Sequence, residues 1–204
     1  MGAGKNIFLV LCFVCWFSSV SGQLVLEEYP VYQNTTELRQ KVVKLAESQL
    51  YVREETGKND GKDVVKYLRS VDLKKGDAWC AAFISWLHIE NNIPNPESGY
   101  SPDWFKNNLV YYKNQKRITT FVSRPAQVIG IWIPAKGRIG HVGMIVSETK
   151  LHYNTIEGNT NSVGSDEGDG VYRKIRKKET IYAISDFVGW KEYLDGVKLA
   201  TKNK

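Results

Sequence analysis

Cysteine and histidine are scarce in this 204-residue chain, three of each, and that scarcity narrows its chemistry. Two of the cysteines, Cys12 and Cys15, lie in the first 22 residues, so the rest of the chain carries Cys80 alone. That excludes an internal disulfide framework and a zinc cluster built on paired cysteines. No Gly-x-Ser-x-Gly elbow and no Gly-Lys followed by Ser or Thr occurs, so the common serine-hydrolase and phosphate-loop signals are missing. Nor is there an internal repeat, or an apolar run near the ~20 residues that span a membrane. The charge is only mildly one-sided, 28 Lys plus Arg against 22 Asp plus Glu for a formal +6, with 42% hydrophobic and 25% charged residues. These are globular proportions, which exclude a disordered polar tail, a collagen-like repeat and a polytopic membrane protein. One domain is expected, with roughly 70% of the unfolded chain's surface buried on folding, so no metal or disulfide staple is required.

The apolar run Ile7 to Phe17, after Lys5 and before Ser18, Ser19, Val20, Ser21 and Gly22, reads as a secretory signal peptide cleaved after Gly22. The expected organisation is therefore a leader over 1–22, an extension over 23–35, one domain over 36–190 and a basic tail over 191–204. The protein is expected outside the cytoplasm, extracellular or periplasmic. An unpaired thiol there is either deeply buried or kept for work that needs a thiolate.

The chain begins with a short extended stretch, Leu24 to Tyr32. Asn34 with Glu37 then forms a cap signature ahead of Leu38, Val42 and Leu45 at helical spacing. A second helix carries Val64, Leu68 and Val71. The third opens near Asp77 and runs through Cys80 to Leu87, and a short piece follows Ser101 and Pro102. The period then becomes that of strands over Val128–Ile133, His141–Val146, Leu151–Glu157, Val171–Ile175 and Ile181–Phe187. Their short spacings favour an antiparallel sheet. Helices first and strands after give an α+β fold. The Ser162–Gly170 block reads as a mobile, solvated loop without the alternating ligand order of a calcium site.

Asp77 as cap would put Cys80 in the first turn of the third helix, where free backbone amides and the helix dipole favour a thiolate. A nucleophilic thiol also needs a base. His88 is eight residues further along the same helix, about 12 Å away at 1.5 Å per residue, and is out of reach. His141 opens a strand between Gly140 and Gly143, whose missing side chains let other groups approach. His152 has no such clearing and reads as a turn residue. Glu157 and Asn159 lie two apart across Gly158 at a strand end, on one face, and either can accept the second imidazole proton.

Trp79, Cys80, Ala81, Ala82, Phe83 and Ser85, then Ile139, Gly140, His141, Val142 and Gly143, then Glu157, Gly158 and Asn159, resemble the CHAP domains, the cysteine- and histidine-dependent amidohydrolases and peptidases. The resemblance spans about residues 36–190. It departs at Pro125, Ala126 and Gln127, where many members carry Pro, Gly and Asp. It implies a papain-like fold, a nucleophile at Cys80, a general base at His141, and Glu157 with Asn159 orienting the imidazole or polarising the site. The implied substrate is peptidoglycan or its peptide fragments, cut by acyl transfer without a cofactor or metal.

Asn59 and Asp60, on a glycine-bounded loop, and the aromatics Trp79 and Trp104 are further candidates for lining the substrate cleft. Trp79, Trp104, Tyr111 and Tyr112 also motivate a rival reading, an inactive module of the same fold that holds glycan or peptide without cutting it. Basic clusters at Arg173–Lys178 and Lys198–Lys204 offer attachment to an anionic cell-wall polymer. The first reads equally as a solvated edge strand around a single Ile175. No nucleic acid partner is expected.

Overall fold

The computed structural model describes residues 30–113, 123–162 and 168–191, with side chains from residue 37. The leader, the extension before Pro30, most of the Ser162–Gly170 block and the basic tail beyond Lys191 lie outside the described residues. Among the described residues no helix is long and apolar enough to cross a membrane.

Among the described residues three helices precede the main sheet: α1 (Pro30–Glu47), α2 (Lys62–Arg69) and α3 (Cys80–Glu90). α1 starts earlier than the cap signature predicts. Pro30 at its first residue needs no amide acceptor there, so Asn34 falls inside the helix rather than capping it and Tyr32 is not extended. α2 is amphipathic and buries Val64, Tyr67 and Leu68. α3 is apolar all round, as a helix enclosed on every side must be: Cys80 through His88 are all buried. A five-residue 3₁₀ turn over Ser101–Phe105 follows, with Pro102 inside it.

Six strands form one antiparallel sheet: β1 (Leu109–Tyr112), β2 (Val128–Ile133), β3 (Arg138–Glu148), β4 (His152–Thr160), β5 (Gly170–Lys177) and β6 (Ala183–Ser185), in the order β1-β6-β2-β3-β4-β5. The fold is thus α+β, as the order of periodicities indicates. β1 was not legible as a strand, because Leu109 to Tyr112 are all half-buried and show no alternation. The β2–β3 connection is a 3₁₀ turn over Pro134–Lys136 closed by Gly137 at φ 61, a left-handed position glycine takes without strain.

α3 packs on β3 and β4 and against α1 and α2. The main core joins Phe83, Ile84 and Leu87 to Val142, Met144 and Ile156 of the sheet, and a smaller cluster gathers Ile129, Ile145, Tyr153, Ile181 and Ile184. The buried Arg39 of α1 donates to both carboxylate oxygens of Asp186, at 2.9 and 2.8 Å, and to the Pro125 carbonyl at 2.8 Å. At the departure from the CHAP pattern, Ala126 holds φ 66, and Gln127 bonds both the Arg124 amide and Asp186. An alanine therefore bears there a left-handed backbone that a glycine would adopt freely.

Candidate active site

α3 begins at Cys80, with Trp79 as its cap residue. Asp77 does not cap it: its carboxylate accepts from the Lys74 amide and closes the preceding turn. The amide ahead of the helix is tied from the sheet instead, since Trp79 N–H donates to Asn159 Oδ1 at 3.0 Å. The first amides of the helix have no carbonyl one turn back to accept them, so Cys80 sits among free donors as expected.

Cys80 is 6% exposed, and its sulfur faces three donors: the His141 ring, the Val142 N–H and the Ser101 hydroxyl, whose Oγ lies 3.6 Å from Sγ. Burial pushes the thiol up. Hydrogen bonding and charge from His141, with help from Ser101 and Val142, outweigh it and bring the group from 9.0 down to about 7. Burial also works against a charged His141, yet its bonds to Cys80 and Glu157 carry the imidazole up to about 10.

His141 lies on β3 and Glu157 on β4, with His141 Nε2 donating to Glu157 Oε2 at 2.8 Å. The other ring nitrogen, Nδ1, is left for the thiol. Glu157 is wholly buried and accepts four hydrogen bonds: besides the one from His141, Arg176 Nε donates at 2.8 Å, Arg176 Nη2 at 2.5 Å and the Thr155 hydroxyl at 2.6 Å. Burial would raise this carboxyl, but Arg176 first and His141 second hold it well below the usual carboxylate range. A buried carboxylate alone costs several kcal/mol, so the bidentate guanidinium is what permits a charge here.

Asn159 does not orient the imidazole. Register shifts between Glu157 and Thr160, and Asn159 takes φ 53, so the strand alternation that would put both side chains on one face is broken by a bulge. Its amide instead donates to Asn59 Oδ1 at 2.9 Å and the Gly168 carbonyl at 3.2 Å, while its oxygen holds Trp79 N–H. Of the two residues left open by the sequence, Glu157 contacts the histidine and Asn159 anchors the start of α3, bordering the cleft as it does so.

The cleft beside the sulfur has a volume of ≈ 110 Å³. Its walls come from Cys80, His141, Ile131, Ile133, Lys136 and Arg176, with Ala78, Gly140, Asn159 and Thr160 completing them. Four sequence candidates for its lining lie elsewhere. Trp79 is fully buried, stacks on Tyr67 and donates to Glu54 Oε1 at 2.9 Å. Trp104 is fully buried between His88 and Phe187. Asn59 stands behind Asn159 and pairs with Gly76, and Asp60 is buried against Thr56 and Lys75. These aromatics went to the core because the all-apolar α3 needs large partners on every side.

Two contributors escaped the sequence reading. Ser101 was a helix-start residue there, and only the fold brings its hydroxyl to the thiol. Arg176 was one cation of a solvated edge strand. The alternation around Ile175, which is 72% exposed, does place Arg176 on the opposite face, and that is the signal it offered. β5 is indeed an edge strand, and its cations are matched internally: Arg173 with Glu47, Arg176 with Glu157, Lys177 with Glu179 and Lys174 on the Asn161 carbonyl, while Lys178 just beyond it pairs with Glu148. His88 is a packing residue inside α3, its Nδ1 on the Ile84 carbonyl, and His152 closes the Thr149 turn.

No model of a known protein family, no curated protein and no solved structure matches the chain.

Proposed function

We propose that this protein is a secreted cysteine amidohydrolase or peptidase of papain-like, CHAP-type architecture that hydrolyses amide bonds of bacterial peptidoglycan or its peptide fragments. The observation that carries this is the relay Cys80–His141–Glu157–Arg176: a thiol lowered to about 7 against an imidazole raised to about 10, so that the pair rests as thiolate and imidazolium near neutral pH. A structural core thiol has no use for such an arrangement. The leader-like segment at residues 1–22 supports export, and the motifs around Cys80, His141 and Glu157 support the substrate class.

In this reading Cys80 Sγ attacks the amide carbonyl carbon, and the developing oxyanion receives the Cys80 N–H at the open end of α3. The His141 imidazolium gives its Nδ1 proton to the leaving nitrogen, the C–N bond breaks, and an amine departs from a thioester on Cys80. His141, now neutral, takes a proton from water as the oxygen adds to the thioester carbonyl. The C–S bond breaks, a carboxylic acid leaves, and the Cys80 thiolate and His141 imidazolium are restored. Glu157 fixes the imidazole's tautomer and supports its charge, and Arg176 keeps Glu157 ionised. Among the described residues no Trp, Tyr or Phe side chain lines the cleft: Trp79 and Trp104 are in the core and Tyr111 and Tyr112 lie half-buried on β1, so these four lend the rival binding-module reading no support there.

Incubation of the mature protein with purified peptidoglycan tests the proposal. New free amino groups should appear, and Cys80→Ala should abolish them while leaving the circular dichroism and melting temperature close to the parent's. Equal release by Cys80→Ala would overturn it.

A further inference from the structure

The charges at the site leave a remainder. The Cys80 thiolate and the Glu157 carboxylate are balanced by the His141 imidazolium and the Arg176 guanidinium. Lys136, on the β2–β3 turn, then adds a positive charge to the same cavity wall. No acidic side chain lines that cavity among the described residues, and Lys136 makes no ion pair with any of them. Arg176 uses Nε and Nη2 on Glu157 and, with a side chain 25% exposed, also lines this cavity. Ile131 and Ile133 of β2 add apolar surface to the same lining, so a substrate group here meets low-dielectric surface together with surplus positive charge.

We infer that the cleft is built for a peptide bearing a free carboxylate beside the scissile amide, with Lys136 as the residue that grips it. This rests on the amidohydrolase reading. Arg176 cannot take the whole task, because its charge already neutralises Glu157. Lys136 ends a turn with Pro134 at its start and Gly137 behind it, and it is an exposed residue that lines the cavity. Its exposure limits the gain to the scale of a charge-assisted hydrogen bond at a surface, about tenfold in affinity or rate, and makes that gain sensitive to salt.

The test compares the stem tetrapeptide L-alanyl-γ-D-glutamyl-L-lysyl-D-alanine as the free acid with the same peptide carrying carboxamides. The wild type should cleave the free acid with about tenfold higher kcat/KM, and the ratio should shrink at high ionic strength. Lys136→Met should bring the ratio close to one, and Lys136→Arg should restore most of it. Calorimetric binding of both peptides to Cys80→Ala supplies a readout that needs no turnover. Equal kcat/KM for acid and carboxamide in the wild type would overturn the carboxylate subsite and leave the hydrolase standing. Absence of turnover, with tighter binding of the acid that Lys136→Met removes, would keep the subsite and strike out hydrolysis of this peptide. Neither turnover nor binding preference would take away both.

Discussion

Gly143 on β3 and Glu157 on β4 lie so close that a Cβ on Gly143 would stand 2.5 Å from Glu157 Cγ and 3.0 Å from Cδ. No real Cβ tolerates the first distance, and Glu157 cannot retreat because it is wholly buried under Arg176 and Thr155. The glycine after His141 is therefore a condition for the carboxylate reaching the imidazole. Gly143→Ala should shift Glu157 off His141, cutting amide hydrolysis by about 10²-fold and costing about 1–3 kcal/mol by overpacking. Parent-level hydrolysis in this variant, measured as amino groups released from peptidoglycan, would show that Glu157 need not sit where it does.

The resting thiolate gives a prediction in pH. With Cys80 lowered to about 7, alkylation by iodoacetamide should rise through pH 7 and level off well below the point where an ordinary thiol ionises. Hydrolysis should rise in the same window. It should fall again toward pH 10, where His141 loses the proton it must give to the leaving amine. In His141→Ala the burial that raises Cys80 is opposed only by Ser101 and the Val142 N–H, so the alkylation midpoint should move up toward the ordinary thiol's. An unmoved midpoint in that variant would mean the helix start and Ser101 alone set the thiol.

Replacing Glu157 separates support of charge from support of fold. Glu157→Gln leaves Arg176 partly buried without its anion, which costs about 3–5 kcal/mol when one member of a buried pair is removed. It also withdraws the charge that helps hold His141 protonated, so the alkaline limb of the rate profile should move to lower pH. Adding Arg176→Met to Glu157→Gln should recover much of the stability, because no unpaired charge remains, and none of the rate. Recovery of both together would mean that Glu157 serves only the fold.

How much of this was readable in advance follows from range along the chain. β2 appears over Val128–Ile133 as its alternation indicates, and α3 surrounds Cys80 as its unbroken apolar run implies, because both signals are local. The glycines around His141 and before Asn159 also carried real information. Gly143 clears Glu157, and Gly158 clears Trp79, whose ring would lie 2.7 Å from an added Cβ. What failed depended on contacts between distant segments. Asp77 matched the composition of a cap, but the cap position fell two residues later, and Asn159, 80 residues away, reached it. That reach needs a bulge at Gly158–Asn159, which period-2 reasoning cannot see. Arg176 meets Glu157 diagonally rather than opposite it, since Tyr172 is the residue in register. Trp79 and Trp104 showed their aromatic character in the sequence, but not which side of the core they would face.

His88 has a different kind of consequence, for stability instead of turnover. It is fully buried in α3 among Trp104 and Phe187, with Nδ1 on the Ile84 carbonyl and Nε2 without a hydrogen-bond partner. Burial lowers it from 6.5 to about 4, against smaller opposing effects from the Ile84 carbonyl and the Asp186 charge. Between those two values the unfolded chain binds a proton that the folded chain refuses, so stability present above pH 6.5 is lost as pH falls toward 4. Between pH 7 and pH 5 this amounts to about 2 kcal/mol. His88→Gln keeps a polar group of similar size that cannot be charged, and should flatten the melting temperature across that interval relative to the parent. Glu157 also contributes acid sensitivity, but its window lies below its unfolded value of 4.5, so the two effects separate in pH. An identical fall in melting temperature from pH 7 to pH 5 in parent and variant would assign the acid sensitivity to some other group.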